Sequence, residues 1–200
     1  MIEDCAEDIY WKSYNDPDEL WALDKLILSR KLGYICGPAG IDVPKPGSYI
    51  VRPCVNAMGL GLGAQEMWLE ELTTHLPYGS FWCEWFIGRH YSVDYYYGEP
   101  RLVVEGIRPH DNLVKWTCWK KTDHYIPFPK ILEQYKNKPV INCEFIDNKL
   151  IEVHFRENED FKDGISEFRP VWKGQDTTPP PGYSYRECAD LHGRIGAFVK

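Results

Sequence analysis

Long apolar runs are missing from this sequence: nowhere do about 20 such residues follow one another, so no stretch suits a membrane-crossing helix. Basic clusters are scarce too. Against 30 Asp and Glu stand 23 Lys and Arg, a formal charge of -7. A nucleic-acid backbone, which needs grouped cations, is therefore excluded as the main partner. No C-x-x-C pair occurs among the seven cysteines, an odd number that points to free thiols in a reducing, cytoplasmic compartment. The acidic opening MIEDCAEDIYW lacks the basic and apolar regions of a signal peptide. Also absent are G-x-S-x-G, H-E-x-x-H, the Walker spacing and the Rossmann spacing, which disfavours the familiar hydrolases and dinucleotide binders.

What is present is a folding chain of 200 residues, 44% hydrophobic and 14% aromatic, long enough for a substantial core. Its most ordered pattern is VINCEFIDNKLIEVHFR over residues 140–156. The alternation predicts two antiparallel strands around Asp147-Asn148-Lys149, read as a three-residue loop with Asn148 in a left-handed conformation. That register sets Glu144 opposite Glu152 and Asn142 opposite His154. It puts Ile141, Cys143, Phe145, Ile151, Val153 and Phe155 on one apolar face. Two carboxylates about 5 Å apart across a ladder repel each other. A divalent cation would offset this; a solvated outer face, softened by Arg156 and Lys149, is the other reading.

Elsewhere, Asp16-Pro17-Asp18-Glu19 has the chemistry of a helix start, with Gly33 as its stop. A short strand, YIVRP, precedes Asn56-Ala57-Met58-Gly59-Leu60-Gly61-Leu62-Gly63-Ala64, whose alternate glycines let backbone N–H groups approach a ligand. A flexible hairpin tip is the alternative. Residues 65–76 are predicted helical from Trp68, Leu72 and Leu76, and residues 81–87 form an apolar strand interrupted by Glu84. Further strands are expected near 90–97, 101–106, 114–123 and 168–172, with a helix near 129–138. TTPPPG begins a proline-rich linker, and the last 18 residues are read as holding a short helix.

In order, these stretches resemble the ATP-grasp superfamily from about residue 24 to 160. LDKLILSRKLGY followed by VPKP is similar to that family's opening helix and strand, and NAMGLGLGA to its phosphate loop. CEWFIGRHYSVDYYYG resembles the hinge, and INCEF with IEVHFR the metal hairpin. The resemblance implies an α+β, two-lobed ATP-grasp-like fold with antiparallel sheets and flanking helices. Residues 1–83 would form the N-terminal lobe, 84–176 the C-terminal lobe, and 177–200 a linker and tail. It implies an ATP-dependent carboxylate–amine or carboxylate–thiol ligase working through an acyl phosphate. Arg52 and Arg156 would be catalytic, contacting phosphates. ATP would be bound by Arg52, Asn56, Gly59, Gly61, Gly63, Glu84, Phe86, His90 and Lys120, and Mg²⁺ or Mn²⁺ by Glu144, Glu152 and His154. Arg89, Arg101 and Arg108 are candidates for a substrate carboxylate.

The chain departs from the family in having His90 where Glu is usual and His154 where Asn is usual. Little of it precedes the grasp lobes, so the acceptor site is expected to be small, borrowed from a partner protein or an oligomer, or absent. The alternative is an inactive ATP-grasp-like binding or assembly module; a more distant one is an unrelated α+β binding protein.

Overall fold

The computed structural model describes residues 20–55, 61–109, 113, 115–162 and 164–200. Its framework is two antiparallel sheets. The smaller sheet holds β1 (Cys36–Pro38), β2 (Gly47–Pro53), β3 (Gln65–Leu69) and β4 (Ser80–Glu84) in the order β1-β4-β2-β3. The larger one holds β5 (His90–Tyr96), β6 (Glu99–Ile107), β7 (Cys118–Lys121), β8 (Ile141–Ile146), β9 (Lys149–His154), β10 (Glu167–Trp172), β11 (Ser184–Leu191) and β12 (Arg194–Val199). Its order is β11-β12-β10-β7-β6-β5-β8-β9. Among the described residues, no helix is long and apolar enough to cross a membrane.

One α-helix, α1 (Lys25–Lys31), packs on β9. Asp24 starts it: its Oδ1 accepts hydrogen bonds from the backbone N–H of Leu26 and Ile27, both at 2.9 Å, satisfying donors with no partner inside the helix. Gly33, at φ +75°, lies just beyond its end as expected. The predicted start at Asp16-Pro17 lies outside the described residues. Among the described residues, three 3₁₀ turns add to the helical content, at Trp21–Leu23, Lys130–Tyr135 and Glu159–Phe161.

Alternation along the strands divides core from cleft. On β2, Tyr49 and Val51 join Val43, Leu69, Leu76 and Trp82 in a small core, while Ile50 and Arg52 face the other way and line a cleft. On β5 and β8, Tyr91, Val93, Tyr95, Ile141, Cys143 and Phe145 build the main core with Leu28, Leu132 and Tyr135. His90, Ser92, Glu144 and Ile146 line the cleft.

The structure corrects the sequence reading in several places. Residues 65–69 form strand β3 rather than a helix, because β2 offers them a partner from Gly47↔Leu69 to Val51↔Gln65. The last residues form β11 and β12, antiparallel strands of the large sheet, not a helix. The hairpin turn is two residues long, with Asp147 rather than Asn148 at positive φ (+50°). A bulge then restores the expected register: Ile146 pairs with Lys149 and Phe145 with Leu150, while Glu144 still faces Glu152 and Asn142 faces His154. The extra residue is Ile151. Leu150 takes the core place predicted for it, and Ile151 turns to the cleft.

Candidate functional site

Between the sheets lies a cleft of about 490 Å³, within the range of small-molecule sites. Arg52, Gly61, Phe86, His90, Glu144, Glu152, His154 and Arg156 all line it. Residues far apart in sequence are thus brought onto one cavity. Gly61 and Gly63 both adopt positive φ (+66° and +79°), which a side chain would strain. Gly63 itself does not line the cavity. Asn56 and Gly59 lie outside the described residues. Glu84 and Lys120 stand apart from the cleft. The Glu84 carboxylate accepts the Ile35 backbone N–H at 3.0 Å, and Lys120 faces Glu167 at 3.5 Å. Arg108 lines the cleft. Arg89 is exposed beside Glu105, and Arg101 lies by a separate shallow depression.

The two hairpin acids are both partnered, with His154 shared between them. Lys25 Nζ lies 3.2 Å from Glu152 Oε1, and Arg52 Nη1 lies 3.8 Å from Glu152 Oε2. Arg52 is pinned further by donating from Nη2 to the Ile151 carbonyl at 2.8 Å. On the other strand, His90 Nε2 is 3.0 Å from Glu144 Oε2. His154 Nε2 lies 3.3 Å from Glu152 Oε1 and 4.0 Å from Glu144 Oε1. Burial pushes the Glu144 carboxyl up. The His90 hydrogen bond and the charges of His90, His154 and Lys25 together outweigh this and hold the group below the usual carboxylate range.

These partners decide the question of a metal. Among the described residues, no group of three or more His, Cys, Asp or Glu is arranged to hold a metal ion. Mg²⁺ asks for near-octahedral oxygen ligands, and an imidazole suits softer ions. A divalent ion on Glu152 would lie roughly 5 Å from the Lys25 ammonium, a repulsion of about 7 kcal/mol at an effective dielectric near 20. That matches the whole binding free energy of a weak cation site, about 4 to 8 kcal/mol for millimolar to micromolar affinity. The residues expected to hold Mg²⁺ or Mn²⁺ therefore do not fit it.

Several residues in or beside the cleft, Arg108 apart, escaped the sequence reading. Lys25 is buried at 5% exposure, and nothing in its local sequence marks it. Trp116 and Trp119 pack edge-on against His90, with ring centroids at 4.7 and 5.4 Å. They lie where Gly106, paired with His90 across the ladder, leaves room. A Cβ at Gly106 would stand 2.7 Å from Trp116 and 2.8 Å from Trp119. Arg108 stacks between Trp85 and Trp116, its guanidinium carbon 5.9 and 5.6 Å from the two ring centres. At the far end, Arg194 Nη1 pairs with Asp160 Oδ2 at 2.9 Å. Cys83 reaches the wall, but burial pushes its thiol up to about 12, so it stays protonated and is no nucleophile. Behind His90 a polar network ties β5 to β8: Asn142 Nδ2 donates to Ser92 Oγ at 2.8 Å and to Asp94 Oδ1 at 2.7 Å.

No family model matches the sequence, and no curated protein matches it. Solved structures do. The chain is similar to an ATP-grasp superfamily protein from Archaeoglobus fulgidus, at TM-score 0.53 and 13% identity over 90% of this chain and 64% of that one. It thus spans slightly less than two thirds of that protein's length. Matches at lower TM-scores are the ATP-grasp ligase PsnB solved with a minimal precursor and the D-alanine–D-alanine ligase of Bacillus anthracis. For PsnB the TM-score is 0.44, with 12% identity over 76% of this chain and 57% of that one. For the D-alanine–D-alanine ligase it is 0.39, with 16% identity over 67% and 57%. The first likeness carries the fold: two antiparallel sheets with few helices, in the ATP-grasp arrangement.

Proposed function

We propose that this chain with the ATP-grasp fold binds ATP between its sheets and acts as a carboxylate–amine ligase. The observation that carries the reading is the convergence of Arg52, Gly61, Phe86, His90 and Arg156 on one cavity of nucleotide size. In this reading the base lies against Trp85 and Phe86. The phosphates lie toward Arg52, Arg156 and the glycine turn, where guanidinium groups suit phosphate oxygens.

The chemistry then has two steps. A substrate carboxylate oxygen bonds to the γ-phosphorus as the bond to the bridging oxygen of ADP breaks, giving an acyl phosphate. An amine nitrogen next attacks the acyl carbon, phosphate leaves with the bonding pair, and the amine proton passes to solvent. Little covalent work falls to the protein, which positions the reactants and neutralises charge. Arg52 and Arg156 do the second task. No step is routed through a metal on the β8–β9 hairpin, since its residues do not fit one.

One observation favours the second reading, a nucleotide-binding module without turnover. Glu152 is already neutralised by Lys25 and Arg52, so the acids of the hairpin are held by the protein itself.

The test is binding first and turnover second. Millimolar ATP is expected to raise the melting temperature, as a ligand of the native state alone must. Arg52→Ala, with Arg52→Lys as the folded control, is expected to weaken ATP by about tenfold or more, about 1.4 kcal/mol or more. An unchanged affinity removes Arg52 from the phosphate site, and no shift with ATP ends the nucleotide reading. ADP release that depends on added carboxylate and amine mixtures separates ligase from module.

A further inference from the structure

Across the β8–β9 ladder two carboxylates face each other, an arrangement that must be offset by positive charge. The structure shows where the charge comes from. Glu152 is answered by Lys25 and Arg52, and Glu144 by His90 and His154, so two acids stand beside two permanent cations and two imidazoles. The two permanent cations match the two acids in number without any added ion. We infer that the Lys25 ammonium is the resident cation of this hairpin: it holds Glu152 in place, keeps divalent ions out, and leaves nucleotide binding independent of a metal held by the protein.

Geometry fixes Lys25 in this role. It is the first residue of α1, whose start is pinned twice. Asp24 caps it from the side chain, and the Lys25 backbone N–H donates to the Cys54 carbonyl at 2.7 Å, next to strand β2. The helix packs on β9, which aims the side chain at Glu152 rather than into water. Its buried ammonium has that carboxylate as a close partner, and a buried charge is tolerated only when paired. Arg52 reaches the same carboxylate from the opposite sheet. Two elements on either side of the cleft thus supply what a bound ion would otherwise supply.

The consequence is a switch in ligand chemistry at one residue. With Lys25 replaced by an uncharged side chain of similar length, Glu152 keeps only Arg52 as a permanent cation, and two carboxylates and an imidazole are free to close on an ion, donors suited to Mn²⁺ rather than Mg²⁺. The experiment uses the full chain and reads Mn²⁺ uptake by its paramagnetic signal and by thermal shift, without nucleotide. The wild type is expected to take up no Mn²⁺ at millimolar concentration. Lys25→Met is expected to bind Mn²⁺ about tenfold more tightly or better and to be stabilised by it. Lys25→Met combined with Glu152→Gln, which removes both charges together, is expected to fold and to lose that uptake. Wild-type uptake that Glu152→Gln abolishes overturns the inference, and so does a folded Lys25→Met chain that ignores Mn²⁺. Where Lys25→Met does not fold alone, the wild-type titration against Glu152→Gln decides. A further arm titrates ATP with the chelator EDTA and with Mg²⁺. Affinities within about threefold support the inference, and ATP binding that vanishes in EDTA overturns it. The inference rests on the nucleotide reading only in this last arm. Failure to bind ATP under any condition sinks that reading while the Mn²⁺ arms still stand.

Discussion

The large sheet ends in two hairpins, β8–β9 at one edge and β11–β12 at the other, and both send residues into the same cleft. On β8–β9 three polar residues are buried: Asn142, Glu152 and His154 are 3%, 9% and 2% exposed. Its edge strand, β9, is covered by α1. On β11–β12 the edge strand is mostly exposed or half-buried and carries Arg186, Glu187 and Asp190, charges of the kind that discourage pairing with another chain. Only Leu191 and Arg194 of this hairpin reach the cleft. Where water is excluded, each charge needs a dedicated partner from elsewhere in the fold. Where water remains, charge protects the edge and asks for little else.

The sharpest way to test the covered hairpin is its bulge. Leu150 is packed in the main core at 3% exposure, whereas Ile151 is half-buried against the cleft. Leu150→Ala is expected to cost about 2 to 5 kcal/mol, because it opens a cavity in a close-packed core. Ile151→Ala is expected to cost about 1 kcal/mol or less, as its side chain keeps contact with water. Denaturant midpoints measure both. Equal costs would mean that the register lacks the bulge and that Ile151 holds the core position after all.

That pair of residues also marks how far the sequence could be read. The alternation of Ile, Val, Phe and Cys over 140–156 announced the hairpin and the facing of Glu144 and Glu152, because both strands keep one face in the core. The bulge was not legible, since Leu150 and Ile151 are both apolar and only the turn geometry chooses between them. β11 was missed for the opposite reason: with neither face deeply buried, it shows no period. Trp68, Leu72 and Leu76 fitted a helical spacing, yet Trp68 and Leu72 are both 67% exposed, and pairing with β2 overrode the pattern. Of the residues that line the cleft, Arg52, Phe86, His90, Glu144, Glu152, His154 and Arg156 are named by strand patterns and family resemblance. Lys25 is not. A lone lysine in a helical stretch looks like surface charge until the fold brings Glu152 beside it.

A smaller effect should appear at the wetter edge, in acid. Glu167 of β10 accepts hydrogen bonds from Tyr183 Oη at 2.7 Å and Arg169 Nε at 2.6 Å, tying the chain just before β11 to the sheet. Burial raises its carboxyl, but the hydrogen bonds from Tyr183, Arg169 and Cys118 outweigh this and hold it at about 2. A carboxyl depressed in the fold stabilises it above its ordinary value of 4.5. That stabilisation is lost as the pH falls from there toward about 2. With Arg169 40% exposed, solvent screening limits the contribution to about 1 to 2 kcal/mol. Melting temperatures of the wild type and Glu167→Gln are expected to converge on acidification. Curves that stay parallel would show that this carboxylate does not anchor the edge.

The smallest effect belongs to Lys120, and it separates the edge from the cleft most cleanly. Its ammonium lies 3.5 Å from Glu167 Oε2 with the side chain 47% exposed, and exposed pairs of this kind contribute roughly 0 to 1 kcal/mol. Lys120→Ala is therefore expected to shift stability by less than about 0.5 kcal/mol. The resemblance gave this lysine a phosphate-binding role, but its place on β7 beside β10 turns it toward Glu167. A nucleotide titration of Lys120→Ala is expected to match the wild type. A loss comparable to that of Arg52→Ala would mean that Lys120 leaves Glu167 for the phosphates when nucleotide binds, and that the division between a solvated edge and a partnered cleft is not fixed in this fold.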